Sequence, residues 1–268
     1  MGATMAEVDY GQLVTIAKEA GQLAMAGWSA GVLSNDVWEK TPGHIVSSVD
    51  IAVDDLLKQR LNKLLPDAGW LSEETADDSA RQSKDLLWVV DPIDGTRDFV
   101  KGKTGWAVSI ALVKQGVPVF GILEAPAMAE TWIAKAGRYT EVNGRAITAS
   151  KRTRYDGSRI PLNTADLPSD IDLSPVPKPN SIALRMAMVA DDRADLVASI
   201  RWGYEWDIAA AHLIASEAGA HVTDALGNEL RYNSEHGKAF GVLCTAEKIH
   251  GAAVERLSKI AADVLARD

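Results

Sequence analysis

Residues 88–99 read Trp88-Val89-Val90-Asp91-Pro92-Ile93-Asp94-Gly95-Thr96-Arg97-Asp98-Phe99. The apolar run Leu86 to Val90 predicts a short buried strand. Asp91-Pro92 and Asp94-Gly95 are turn dipeptides, so the strand is expected to stop at a tight bend. Asp91 and Asp94 then converge at its carboxyl end, where open α/β sheets place ligands. Gly95 and Thr96 open a helix or turn with free backbone N–H groups, which suit an anion, phosphate above all. Two carboxylates beside such a turn need a cation between them. Carboxylate oxygens without His or Cys partners select hard ions, Mg²⁺ first, then Mn²⁺ or Ca²⁺. The plainer alternative is a surface turn that happens to carry two aspartates.

Composition narrows the choice. A chain of 268 residues, 47% apolar, is long enough for one large domain or two closely packed ones. Its net charge of −9 argues against a nucleic-acid polymer as partner. A small phosphorylated substrate remains compatible, because a bound cation inverts the local field. The single cysteine, Cys244, excludes an intrachain disulfide and a thiolate metal cluster, and its apolar neighbours predict burial. No apolar run reaches transmembrane length and no signal pattern opens the chain, so a cytoplasmic protein without a membrane partner is expected.

Outward from the central motif, residues 6–28 predict a helix with Leu13, Ile16, Ala17, Ala20 and Ala24 on one face, after a loose terminus at 1–5. Strand signals flank Pro42-Gly43. A helix is expected from Ser47 or Ser48 to about Leu65, with Asp50, Asp54 and Asp55 complementing its dipole. Gly69 to Thr75 predicts a short strand running into Glu73-Glu74. Adjacent acids usually mean a solvated loop, but these lie close enough ahead of Asp91 to sit beside it in a sheet. Asp77 to Lys84 is polar and expected to be exposed. Residues 106–113 and 117–123 predict a hairpin, followed by strands at 131–134 and 139–142 and a turn at Asn143-Gly144. From Lys151 to Asn180 five prolines mark a connecting loop. The second half opens with the apolar segment Ile182 to Ala190. Glu205-Trp206-Asp207 then enters an Ala-rich helix, with Asp207 placed as its N-cap and His212 packed inside. Residues 246–266 predict a terminal amphipathic helix.

Taken together, Asp91-Pro-Ile-Asp94-Gly-Thr96, the upstream Glu73-Glu74 and the downstream Trp206-Asp207 resemble the inositol monophosphatase superfamily of Mg²⁺-dependent, lithium-sensitive phosphomonoesterases. The likeness runs from the first helix to about residue 245. It implies a layered αβαβα sandwich of the inositol monophosphatase and fructose-1,6-bisphosphatase type. An α+β half at 1–150 would carry Glu73 and Asp91–Thr96, a Pro-rich connection would follow at 151–180, and an α/β half at 181–268 would carry Asp207.

The resemblance also implies a site with two or three Mg²⁺ ions. Glu73, Asp91 and the Ile93 carbonyl would hold the first metal, and Asp91, Asp94 and Asp207 the second. Thr96, with Glu73 or Asp50, would orient the attacking water. Gly95 and Thr96 would bind phosphate through their N–H groups. Lys40 and Asp50 match residues near an optional third metal. Asp94, Asp207, Lys40 and Arg185 complete the implied substrate contacts. A homodimer is expected by the same likeness.

For the substrate, Arg97-Asp98-Phe99-Val100-Lys101 looks closer to CysQ-type adenosine 3′,5′-bisphosphate nucleotidases than to the inositol type, and Glu205-Trp206-Asp207-Ile208-Ala209-Ala210 leans the same way. The segment Ser199-Ile200-Arg201 lacks the acid with which animal inositol monophosphatases grip ring hydroxyls. Inositol 1-phosphate is therefore the second expectation and histidinol phosphate the third. A catalytically silent metal- or phosphate-binding protein on the same fold is the alternative of a different class.

Overall fold

The computed structural model describes residues 9–33, 36–41, 44–162 and 172–267. The expected loose terminus, the Pro42-Gly43 turn and the middle of the Pro-rich stretch lie outside them. The carboxylate of Asp9 caps helix α1 (Tyr10–Ala26), accepting from the N–H groups of Gly11 and Gln12. Strands β1 (Val37–Thr41) and β2 (His44–Ser47) pair antiparallel. Ser47 then caps helix α2 (Ser48–Leu64) in a reciprocal box with Asp50. Asp50 is thus bound into the helix start through its side chain, beyond any dipole effect. Leu13, Ile16, Ala17, Ala20 and Ala24 of α1 and Val53, Leu57 and Leu61 of α2 are buried at helical spacing, which turns both helices toward one core.

Strand β3 (Gly69–Ser72) runs parallel to β4 (Leu86–Asp94). The short helix α3 (Thr96–Val100) follows, then β5 (Ala107–Lys114), β6 (Val117–Ala125), β7 (Glu130–Lys135), β8 (Tyr139–Val142) and β9 (Arg145–Ala146) in antiparallel succession. These seven strands form one sheet in chain order. β4 alternates: Leu87 and Val89 face one core, Trp88 and Val90 the other. Both faces of the sheet are covered, and so the sequence reads as a continuous apolar run rather than an alternating one.

One expectation fails here. The strand does not end at Asp91-Pro92 but continues to Asp94. Asp91 pairs with Ser109 and Asp94 with Ala107, so one extra residue is bulged out of β4. The bulge accommodates Pro92, which has no N–H to give the ladder, and it re-aims the side chains around it.

The Pro-rich connection is not wholly irregular. β10 (Ser158–Pro161) pairs in parallel with β11 (Leu173–Val176). Helix α4 (Ile182–Ala190), strand β12 (Leu196–Tyr204), helix α5 (Ala209–Glu217), strands β13 (Ala220–Thr223) and β14 (Lys238–Ala246), and helix α6 (His250–Leu265) complete the described chain. β14 lies between β12 and β13 in a second, antiparallel sheet.

The layers follow from these contacts. α1 and α2 cover one face of the large sheet, α4 and α5 fill the space between the two sheets, and α6 covers the far face of the small one. This is the αβαβα sandwich. The central layer is thin because α5 is Ala-rich: a Cβ added at Gly121 of β6 would stand 2.6 Å from the Ala210 carbonyl oxygen. Cys244 is buried in the small sheet, and burial pushes its thiol up, out of reach of ionisation. No helix among the described residues is long and apolar enough to cross a membrane.

Candidate active site

Parallel pairing of β3 with β4 matches Ser72 to Val90, so the next residues, Glu73 and Asp91, emerge side by side at the carboxyl ends of both strands. Each carboxylate is then fixed locally. Asp91 Oδ1 accepts from the Ile93 N–H at 2.9 Å, closing the bulge on itself. Asp94 accepts from the Ser181 hydroxyl and from the Ala183 N–H (2.8 Å), which ties it to the start of α4. Gly95 turns with φ +98°, and an added Cβ would meet the Gly105 carbonyl oxygen at 2.7 Å, so only glycine fits the turn. Thr96 donates from its hydroxyl to the Ile93 carbonyl at 3.0 Å and reaches Asp50 Oδ1 at 3.3 Å.

Asp207 arrives from the other half of the chain. It is not the N-cap of α5: Ile208 holds that position without a side-chain bond, while Asp207 accepts from the Tyr204 N–H at 3.4 Å. The Ser109 hydroxyl of β5 donates to the carbonyl of Trp206 and anchors the segment to the large sheet.

Glu73, Asp91, Ile93, Asp94, Gly95, Thr96, Arg185 and Asp207 line one cavity of about 750 Å³. Two implied site residues are not among its lining. Asp50 stands behind Thr96. Lys40 pairs with the Glu74 carboxylate and donates to the Glu73 carbonyl at 3.3 Å, so it braces the acidic loop from behind.

The carboxylates work against one another. Burial, then Asp207 and Glu74, pushes Glu73 up to about 8. Burial, then Asp94, pushes Asp207 up to about 8. Asp91 is held well above the usual carboxylate range by burial and by Glu73, Asp94 and Asp207. Among the described residues no three His, Cys, Asp or Glu side chains stand as a finished cation cage. The donor chemistry nevertheless fits a hard divalent cation: the carboxylate residues Glu73, Asp91, Asp94 and Asp207, two of them buried and two half-buried, line a single cavity without sulfur or imidazole, and their mutual repulsion is what a cation relieves.

The same cavity also carries the other sign. Arg97, Lys178, Arg185 and Arg201 line it together with Trp202 and Tyr204. Arg201 is brought in by a second bulge: β12 fits one extra residue between Ser199 and Trp202 against Val242 and Phe240 of β14. Gly241 lies opposite with φ +68°, where an added Cβ would meet the Ser199 carbonyl oxygen at 2.1 Å. Arg185 is held against α4 by bonds to the Ser181 and Asn180 carbonyls. Burial lowers its pKa, partly offset by Asp94, with Arg201 beside it lowering it further.

A family model described as the inositol monophosphatase family matches residues 5–262. The chain belongs to this family. CysQ, the 3′(2′),5′-bisphosphate nucleotidase of Escherichia coli K12, is 32% identical over 232 residues, covering 82% of this chain and 92% of the relative. A fructose-1,6-bisphosphatase/inositol-1-monophosphatase of Thermotoga maritima is 31% identical, covering 81% and 84%. The solved inositol monophosphatase (IMPase) structure from the same organism superposes with a TM-score of 0.79 at 27% identity, over 94% of this chain and 97% of the other. As an inositol monophosphatase family member, the protein is a phosphoric monoester hydrolase.

Several residues that shape the site had no local signal in the sequence. Asp54 of α2 is buried and accepts from the hydroxyls of Ser72 and Thr75, so it brackets Glu73-Glu74 from both sides. Asp98 accepts from the Asn180 N–H at 2.9 Å and so fixes the entry to α4. Arg81, expected on an exposed segment, is buried. In this family member, Asp54 was visible only as one more acid near a helix start, and Arg81 only as one polar residue among several.

Proposed function

We propose that the protein is a Mg²⁺-dependent phosphatase acting on adenosine 3′,5′-bisphosphate. The supporting observation is the basic and aromatic cavity wall formed by Arg97, Lys178, Arg185, Arg201, Trp202 and Tyr204. A monophosphate held at the acidic floor does not need the neighbouring arginines Arg185 and Arg201. A second phosphate does, and arginine is the side chain best shaped to receive one. The same wall carries no carboxylate among its described lining residues with which to hold polyol hydroxyls. The likeness to CysQ points the same way.

In this reading Glu73, Asp91 and the Ile93 carbonyl would hold one Mg²⁺, Asp91, Asp94 and Asp207 a second, and Asp50 would lie near an optional third. When bound, the ions supply Lewis acidity and offset phosphate charge. The chain supplies the rest. The Thr96 hydroxyl, oriented by Asp50 and the Ile93 carbonyl, positions the attacking water, and the Glu73 carboxylate takes its proton. The Gly95 and Thr96 N–H groups hold phosphoryl oxygens where negative charge develops. The water oxygen bonds to phosphorus as the ester bond on the opposite side breaks, and the departing alkoxide takes a proton from solvent. Lys40 braces the Glu73-Glu74 loop rather than touching substrate, and Arg185 contacts the distal phosphate. Lithium inhibition and a homodimer belong to the same reading.

Inositol 1-phosphate is the second reading, favoured by the Thermotoga relative. The test is phosphate release with Mg²⁺ from adenosine 3′,5′-bisphosphate, inositol 1-phosphate, fructose 1,6-bisphosphate and histidinol phosphate, with and without lithium. A dominant, lithium-sensitive rate on the bisphosphate nucleotide is expected. A dominant rate on inositol 1-phosphate would replace the first reading by the second. Silence on all four, from folded protein that still binds Mg²⁺, would return the silent binder.

A further inference from the structure

Glu73 and Asp207 come from different halves of the chain and repel each other across the cavity. No hydrogen bond between them sets their separation. Behind them lies a buried network that does connect their segments. Arg81 follows Glu73 on a short 3₁₀ turn, Ser79–Ser83, and is 2% exposed. Its Nε and Nη2 both donate to the Asp77 carboxylate (2.6 and 2.9 Å), a forked pair that fixes the guanidinium plane. Its Nη1 donates to Asn233 Oδ1 at 2.5 Å, and Nη2 also donates to the carbonyls of Ser234 (3.0 Å) and Glu235 (3.3 Å). The Asn233 side chain donates back to the Arg81 carbonyl at 3.3 Å.

Glu205 takes the same turn from the other side. It lies just ahead of Asp207 and is fully buried. Its two carboxylate oxygens accept from the N–H groups of Asn233 (2.7 Å) and Ser234 (2.8 Å), and its own N–H donates to the Gly237 carbonyl at 2.9 Å. Asn233 is held between them with φ +73°, a conformation that costs a non-glycine residue energy. The turn is also fastened to the large sheet. The Tyr232 N–H donates to the Gly116 carbonyl at 3.1 Å, and Gly237 packs so closely on Leu71 of β3 that an added Cβ would lie 3.1 Å from its Cδ1.

We propose that Arg81 and Glu205 are positioning residues which, by gripping the Asn233–Gly237 turn from opposite sides, set the spacing of Glu73 and Asp207 across the cavity. A buried guanidinium and a buried carboxylate that meet only through a shared turn contribute little to stability that apolar packing could not. What they add is a fixed geometry between two loops that electrostatic repulsion drives apart. The inference rests on the reading that Glu73 and Asp207 face a common divalent cation.

The test is direct Mn²⁺ binding, by calorimetry and by the electron-spin signal of free Mn²⁺, to wild type, Arg81→Lys, Glu205→Gln and Asn233→Gly. Arg81→Lys keeps the charge and loses the fork. Asn233→Gly relieves the backbone and deletes only the two side-chain bonds between Asn233 and Arg81, leaving the charged partners of the network in place. Circular dichroism should show all three folded. The expected result is an Mn²⁺ affinity weaker by about 10-fold or more in each, with KM for the phosphate ester at saturating cation unchanged. Asn233→Gly or a folded Arg81→Lys that binds Mn²⁺ as wild type does would overturn the clamp and leave the cation reading intact. Wild-type protein that binds no Mn²⁺ would overturn the cation reading, and the clamp with it.

Discussion

Two strands carry a one-residue bulge at the cavity, and the two do opposite things. The bulge in β4, at Asp91–Asp94, sets two buried carboxylates on the floor, Asp91 held by the Ile93 N–H and Asp94 by Ser181 and Ala183. The bulge in β12, at Ser199–Trp202, brings an arginine and an exposed tryptophan to the basic and aromatic wall of the same cavity. The floor offers what any phosphate ester needs, and the wall offers what only some esters can use. Rate should therefore depend on the first region for every substrate, and choice of substrate on the second.

The largest expected effect is on the floor. Asp91→Asn keeps the shape and the Ile93 contact but removes a charge common to both proposed metal positions. It should lower kcat by about 10³-fold or more on every ester tried, measured by phosphate release. If the loss were confined to one substrate, the division between floor and wall would fail.

Next comes the support of the floor. Asp54→Ala leaves the hydroxyls of Ser72 and Thr75 without their acceptor and frees the Glu73-Glu74 loop. A cost of about 1–3 kcal/mol in denaturant unfolding is expected, with kcat falling about 10-fold or more. A stability loss with full activity would mean that the loop does not need bracketing.

On the wall, Arg201→Ala should lower kcat/KM for the bisphosphate nucleotide about 10-fold, through KM, and leave inositol 1-phosphate unchanged. An equal loss on both would place Arg201 in the general machinery.

The smallest effect concerns neither region. His212 is buried against the Tyr232 hydroxyl, and burial pushes it down to about 4 from 6.5. The unfolded chain therefore takes up the proton first as pH falls below 6.5. The contribution of His212 to stability is lost progressively from there toward about pH 4 and is flat above pH 6.5. The slope of Tm against rising pH in that window should be less positive in His212→Gln than in wild type. An unchanged slope would show that His212 is not the group responsible.

The two bulges also differ in how far sequence could find them. Asp-Pro and Asp-Gly around Ile93 suggest a tight bend and two converging acids, and both acids do line one cavity. The same dipeptides misplace the strand end, because the ladder resumes at Asp94 once Pro92 has been bulged out. Ser199-Ile200-Arg201 carries no turn signal. Its bulge depends on Gly241 in the facing strand, where the bulged carbonyl leaves no room for a side chain. The other omissions have the same cause. Asp54 with Ser72, Ser181 with Asp94, and Arg81 with Asn233 are contacts between distant positions, and periodicity reports only near ones. Asp207 was misplaced as a cap because a carboxylate just before an apolar helix fits that role locally, whereas its surroundings are set by Tyr204 and the far half of the site.

The most direct test of the account is the ratio of kcat/KM for adenosine 3′,5′-bisphosphate to that for inositol 1-phosphate at one Mg²⁺ concentration. The account predicts a ratio above about ten in wild type, collapsing toward unity in Arg201→Ala. A wild-type ratio at or below one would contradict it, and would mean that the basic wall serves some purpose other than holding a second phosphate.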